Sequence, residues 1–184
     1  MERATVFAGF GGQGLLFAGE ALARSALAQG MEVLWIPSYG PEMRGGTASC
    51  TVIASDAAIG SPVVDHLDAA ILLNPPSLAK FLPMVAAGGL VIVNDSLIEA
   101  AVARTDVRVL RIGCTALARD AGAERLTSVV ALGALIGDMG IIGMETARAA
   151  LCAMVERKHP ELLEGNLQAF AAGLDAVAVG AQVQ

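Results

Sequence analysis

An α/β fold is what this sequence predicts: a Rossmann-like open, twisted, mostly parallel sheet with helices on both faces and a helical C-terminal part. Three observations lead to it. Short apolar runs alternate with helically spaced stretches through the first two thirds of the chain. A glycine-rich turn joins the first run to the first helix, and from Leu126 onward only helical spacing remains. At 184 residues, with no linker or internal repeat, residues 1–184 read as a single domain.

The elements follow in order. "ATVFAGF" is a short strand ending in glycine, and Leu15, Leu16, Ala18, Ala21, Leu22, Ala26 and Leu27 then recur at helical spacing up to a stop at Gly30. "MEVLWIP" supplies a second strand closed by Pro37, "SYGPEMRGG" is a loop without periodicity, and "TASCTVIAS" alternates as a third strand. "DAAILLN" and "GGLVIVND" read as buried strands on either side of a helix over "PPSLAKFLPMVAA", whose prolines suit a helix start; "VRVLRIG" is the last strand. Residues 126–139, 145–158 and 161–179 read as helices, the second stopped before Pro160.

Composition narrows the function classes. Apolar residues make up 55% of the chain and charged residues only 16%, so the surface is short of the groups that keep a monomer apart. A large face covered by a partner is expected, with self-association when the chain is alone. The longest apolar tract, 126–144, holds Thr127, Ser128, Asp138 and several glycines, which suits a buried helix better than a membrane span. "MERATVFAGF" lacks the layout of a signal peptide, and a cytoplasmic location is expected. The net charge of −6 with 12 scattered basic residues leaves no electrostatic footprint for nucleic acid. Cys50, Cys114 and Cys152 lie far apart with no C-x-x-C, too few ligands for zinc or an iron-sulfur cluster, and read as buried reduced thiols. His66 and His159 read as exposed or capping, and no catalytic residue or metal site is assigned.

"GFGGQG" contains G-x-G-x-x-G at Gly9, Gly11 and Gly14, in a strand-turn-helix context that fits a dinucleotide site. Such a site also needs an acid at the end of the second strand to hold the ribose, and that strand ends in Leu34, Trp35, Ile36, Pro37 and Ser38. The missing acid argues against NAD or FAD. Two readings stay open: glycines needed only for close packing of helix on strand, and a turn that meets a phosphate or a partner's backbone, with the Gln13 amide as a neutral donor. "SYGPEMRGGTASC" puts Tyr39, Glu42 and Arg44 in a permissive loop at the carboxyl end of a strand, where open α/β sheets meet ligands; the alternative is a solvated loop with a weak Glu42/Arg44 pair.

"GFGGQGLLFAGEALARSA", "PSYGPEMRGGTASCTVIASD", "IGSPVV", "DAAILLN" and "GNLQAFAAG" together resemble the gamma subunit of the 2-oxoacid:ferredoxin oxidoreductases over nearly the whole chain. Tyr39, Met43, Arg44, Gly45 and Gly46 are more similar to the 2-oxoglutarate type than to the pyruvate type. Indolepyruvate oxidoreductases, whose related subunit lacks the Tyr-Gly-Pro-Glu portion, are the runner-up, and a stand-alone nucleotide-binding module is the rival from another class. The sequence departs from the family at "LTSVVALGAL", where an asparagine is expected and Ser128 stands nearby.

The resemblance implies a non-redox subunit of a complex that oxidatively decarboxylates a 2-oxo acid to its acyl-CoA. Thiamine diphosphate, Mg and the iron-sulfur clusters then belong to alpha, beta and delta partner subunits, coenzyme A is the co-substrate, and electrons leave to ferredoxin. Gly11, Gly12, Gln13, Gly14, Tyr39, Glu42, Arg44, Gly45, Gly46 and Ser49 are the candidate binding residues. They form one surface for docking and for coenzyme A, with Arg44 facing a phosphate or carboxylate and Tyr39 packing on a partner.

Overall fold

The structure, a computed structural model, describes residues 1–39 and 47–179. Its strands are β1 (Glu2–Phe10), β2 (Glu32–Tyr39), β3 (Thr47–Ser55), β4 (Leu67–Leu72), β5 (Val85–Asn94) and β6 (Arg108–Ile112). Its helices are α1 (Leu15–Ala28), α2 (Pro75–Phe81), α3 (Cys114–Asp120), α4 (Thr127–Met139), α5 (Met144–Glu156) and α6 (Leu163–Ala178). The strands form one open sheet in the order β2-β3-β1-β4-β5-β6.

β1, β4, β5 and β6 pair in parallel, while β3 is antiparallel to both β1 and β2. The predicted mostly parallel sheet therefore carries one reversed strand. Only residues 40–46 separate β2 from β3. A parallel neighbour needs a crossover of about a dozen residues or more, so so short a link returns the chain antiparallel. The α1 crossover leaves a gap one strand wide between β1 and β2, and β3 fills it.

The two-residue period of the strands divides the interior into two cores. Phe7, Cys50, Val52, Ala69, Ile71, Ile92 and Leu110 pack beneath α1, α3, α4, α5 and α6. Val6, Ile53, Ala70, Leu72, Val91, Val93 and Val109 face the other way, toward Leu78 and Phe81 of α2 and loop residues such as Ile59, Ile98 and Val102. Helices thus cover both faces unevenly.

α2 starts as its sequence promises, with Asn74 Oδ1 accepting the Ser77 N–H at 2.8 Å and Pro75 and Pro76 in its first turn. It stops at Phe81 rather than running to 87. Pro83 has no N–H to give to an α-helix, so Leu82–Met84 tighten into a 3-10 turn and Val85 already belongs to β5. α3, at seven residues, is too short for helical periodicity to declare itself in the sequence.

Large apolar side chains exposed among the described residues include Leu27, Val63, Leu97 and Met144. α4 is buried from Thr127 through Ile136. α6 crosses it where Gly133 faces the Phe170 carbonyl and Gly173 faces the Val130 carbonyl, so close that neither position has room for a Cβ.

Cys50 and Cys114 are buried and Cys152 is half-buried. Burial pushes the Cys50 thiol from 9.0 to about 11, against a smaller opposing effect of a Trp35 hydrogen bond, and the Cys114 thiol from 9.0 to about 12. Both stay protonated in the fold, whereas an unfolded thiol ionises near pH 9. Their contribution to stability is complete below about pH 9 and declines as pH rises toward 11 to 12. At pH 8 a thiol reagent should modify Cys152 in the native chain, with Cys50 and Cys114 reacting only in denaturant, and the melting midpoint should fall as pH is raised above 9.

Candidate functional site

Strand register brings the glycine turn and the residues that flank 40–46 to one end of the sheet. Phe10, the last residue of β1, pairs with Thr47, the first of β3, and Tyr39, the last of β2, pairs with Ala48. The turn at Gly11, Gly12, Gln13 and Gly14 and both ends of the loop after Tyr39 therefore leave the sheet at the same edge, the carboxyl end of the parallel strands. Ser49 lies within β3, paired with Ala8 and Ser38, and is 8% exposed. Glu42, Arg44, Gly45 and Gly46 lie outside the described residues.

The turn is built around Gln13. Its Oε1 accepts the Phe10 N–H at 2.7 Å while its own N–H donates to the Phe10 carbonyl at 3.3 Å, so side chain and backbone close the turn together. A Cβ on Gly9 would collide with that Oε1 and stand 3.0 Å from Leu73 Cβ, which is why the first fingerprint position is glycine. Gly12 and Gly14 hold left-handed φ values of 96° and 78°. At Gly14 a Cβ would also stand 2.7 Å from the Arg125 carbonyl oxygen and 2.8 Å from Ser128 Oγ. Close packing at Gly9 and Gly14 and left-handed backbone at Gly12 and Gly14 thus account for three of the four glycines of the turn without a dinucleotide. Gln13 is half a structural residue: its oxygen is taken, and only its amide N–H groups are left to face a ligand.

Ser128, the position near the family's expected asparagine, supports the turn from below. It is fully buried, its backbone N–H donates to the Gln13 carbonyl at 3.4 Å, and its Oγ has no hydrogen-bond partner.

Beside the turn lies a cleft of about 610 Å³ between α1 and the end of α5. Phe10, Leu15, Leu16, Phe17, Met154 and Leu162 supply apolar walls, and Arg125, Arg157 and Lys158 stand among the lining residues. The first turn of α1 opens on it, with neither a side-chain cap nor an acidic residue, so the positive end of the helix dipole is uncompensated there. Asn166, 4% exposed, also borders it; its Nδ2 donates to the Leu162 carbonyl at 2.8 Å and its Oδ1 has no partner. The volume is in the range of sites for small organic ligands or for the anchor of a peptide. Sequence reading missed Arg125, Arg157, Lys158 and Asn166. The signal available was "RKH", a run of basic character at a helix end in a chain otherwise poor in charge.

Among the described residues no group of three or more His, Cys, Asp or Glu could hold a metal ion, and no helix is long and apolar enough to cross a membrane. Among the described residues the cleft lining has neither a nucleophile beside a base nor a pair of carboxylates.

Sheet order, reversed strand and shared loop edge define an α/β domain of the gamma type. Along 100% of this chain and 99% of the other, the fold matches the gamma subunit of keto/oxoacid ferredoxin oxidoreductase from Geobacter sulfurreducens, with a TM-score of 0.85 and 29% sequence identity. The chain belongs to the pyruvate ferredoxin/flavodoxin oxidoreductase family, whose model matches residues 4–176.

Among its relatives, ketoisovalerate oxidoreductase subunit VorA of Methanothermobacter thermautotrophicus is 37% identical over 170 residues, 91% of this chain but 35% of VorA. The chain thus spans about a third of that relative's length. The 2-oxoglutarate synthase subunit KorC of the same organism is 33% identical over 182 residues, 95% of each chain.

Proposed function

We propose that this chain is the gamma subunit of a 2-oxoacid:ferredoxin oxidoreductase that converts a 2-oxo acid, foremost 2-oxoglutarate, and coenzyme A to the acyl-CoA and carbon dioxide. The observation that carries the reading is end-to-end similarity to a free-standing subunit of the same size, KorC, which covers 95% of both chains. The Tyr39, Met43, Arg44, Gly45, Gly46 pattern supports the same choice of substrate. A 2-oxo acid of the ketoisovalerate kind is the second reading, favoured by the 37% identity to VorA.

In this reading, thiamine diphosphate with Mg and the iron-sulfur clusters sit in alpha, beta and delta partner subunits, electrons pass to ferredoxin, and the complex works in the cytoplasm. The gamma chain contributes placement. The sheet edge that carries the glycine turn and the loop after Tyr39 docks on the thiamine-bearing subunits and borders the path of coenzyme A. Gln13 Nε2 offers a neutral donor there, the open first turn of α1 favours an anion, and Arg44 supplies a charge-assisted fork for a phosphate or a partner carboxylate.

Reconstitution with partner subunits tests this. Acyl-CoA formation with 2-oxoglutarate well above that with ketoisovalerate is expected, and the reverse ranking overturns the choice of substrate. Arg44→Ala should weaken assembly or raise the KM for coenzyme A about tenfold, the scale of one lost charged hydrogen bond. Unchanged assembly together with unchanged kinetics removes Arg44 from the role.

A further inference from the structure

The cleft beside the glycine turn is one end of a longer groove. Gln29 at the end of α1 bonds the Ile141 carbonyl through Nε2 at 3.0 Å and accepts the Gly143 N–H through Oε1, which fixes the start of α5 against the end of α1. The two helices therefore run antiparallel, with Arg157 and Lys158 returning to the glycine-turn end. A second, shallower cavity lined by Arg24, Ala28, Glu145, Thr146, Ala149, Ala150, Ala153 and Met154 shares Arg24, Ala153 and Met154 with the first. Together they follow α1 from Gly14 to Ala28, about 20 Å at 1.5 Å per residue.

Charge along the groove is uneven. Four of the chain's 12 basic residues, Arg24, Arg125, Arg157 and Lys158, line the larger cavity, against Glu20 alone of its 18 acidic residues. Glu20 is already bonded to Arg24 at 2.7 Å. Arg125, Arg157 and Lys158 have no ion-pair partner among the described residues. The far end is neutral by comparison, with Glu145 beside Arg148 at 3.8 Å and a floor of alanines. A compact anion would use one end and leave the rest empty, whereas an extended or helical peptide fills a groove of this length.

We infer that the α1/α5 groove receives an amphipathic segment of a partner polypeptide. Its apolar side chains lie over Leu16, Phe17, Ala153 and Met154, and its carboxylates meet Arg125, Arg157 and Lys158. The inference rests on the subunit reading above, since it requires a partner chain. In VorA, where the matching stretch is 35% of the polypeptide, a much larger body is joined to the same domain. Such a segment would also neutralise the cationic end of an otherwise acidic chain.

The test is made on the reconstituted complex. A photoreactive benzoylphenylalanine in place of the exposed Ala153 is expected to crosslink to a carboxylate-bearing peptide of a partner subunit, identified by mass spectrometry. Arg157→Glu with Lys158→Glu, both at exposed positions, is expected to weaken association at least tenfold at low salt, with an unchanged melting midpoint for the isolated chain. An active complex whose Ala153 probe reacts only within its own chain or with a small molecule, or whose affinity changes less than twofold on charge reversal, overturns the groove assignment and leaves the subunit reading intact. If the wild-type chain joins no thiamine-dependent partner, both fall together.

Discussion

Gly173→Ala is expected to lower the melting midpoint more than any other single glycine replacement in the helices, with a weakened cooperative transition by far-ultraviolet circular dichroism. A Cβ there would overlap the Val130 carbonyl oxygen and stand 2.8 Å from the Ala134 nitrogen, both backbone atoms of α4. Overpacking usually costs about 1–3 kcal/mol because side chains rotate away. A helical backbone has no such freedom, so α4 and α6 must separate along their length, and the cost exceeds about 3 kcal/mol of a total near 5–15. Gly137 is the control. A Cβ there meets the far end of Leu174 at 3.3 Å, which can turn aside, and alanine gains about 1 kcal/mol of helix propensity over glycine. Gly137→Ala should melt at or above the wild-type temperature. Equal losses for the two variants would contradict the close crossing at Gly173.

Gly14→Ala is the second large effect, and it separates two reasons for being glycine. Position 14 combines a left-handed φ of 78° with a backbone oxygen 2.7 Å from the would-be Cβ; Gly12 has a φ of 96° and open space around it. Gly12→Ala should cost the conformational strain alone, about 1–2 kcal/mol. Gly14→Ala adds the displacement of Arg125 and Ser128, for about 3 kcal/mol or more. Arg125 also lines the cleft, so the Gly14 variant should lose partner affinity beyond its loss of stability, measured by denaturant titration and association side by side. Adding Ser128→Ala removes the Oγ at 2.8 Å but not the Arg125 carbonyl, and should return only part of the loss. Identical behaviour of the Gly12 and Gly14 variants would show that packing beneath the turn is immaterial.

Much of this architecture can be read from residue patterns, because strands buried on both faces and helices with one apolar stripe leave periodic traces. The first strand, the glycine turn, α1 and the three C-terminal helices are legible in that way. The reversal of β3 is not, since alternation in "TASCTVIAS" is the same whichever way the strand points; only the shortness of the 40–46 link carries direction. Apolar spacing alone extends α2 too far, because Leu82 and Met84 continue a helical pattern that Pro83 interrupts. For the site, register alone brings the glycine turn and the end of β2 to the same end of the sheet, a juxtaposition no local pattern states. The roles of Gln13 Oε1 and Ser128 were illegible, because they depend on contacts between distant or backbone atoms. Arg125, Arg157, Lys158 and Asn166 come from separate elements and meet only when α5 folds back along α1.

The crossing of α4 by α6 bears on how the protein must be made. α4 is apolar on almost every side, yet the helix that covers its outer surface ends 39 residues later, at Ala178 rather than Met139. At about 5–20 residues per second of synthesis, α4 waits roughly 2–8 s for its cover. During that interval the nascent chain displays a greasy helix with no finished site to occupy. Yield in a heterologous host should therefore depend on chaperones that shield such surfaces, and on temperature during expression, more than the stability of the completed fold would suggest.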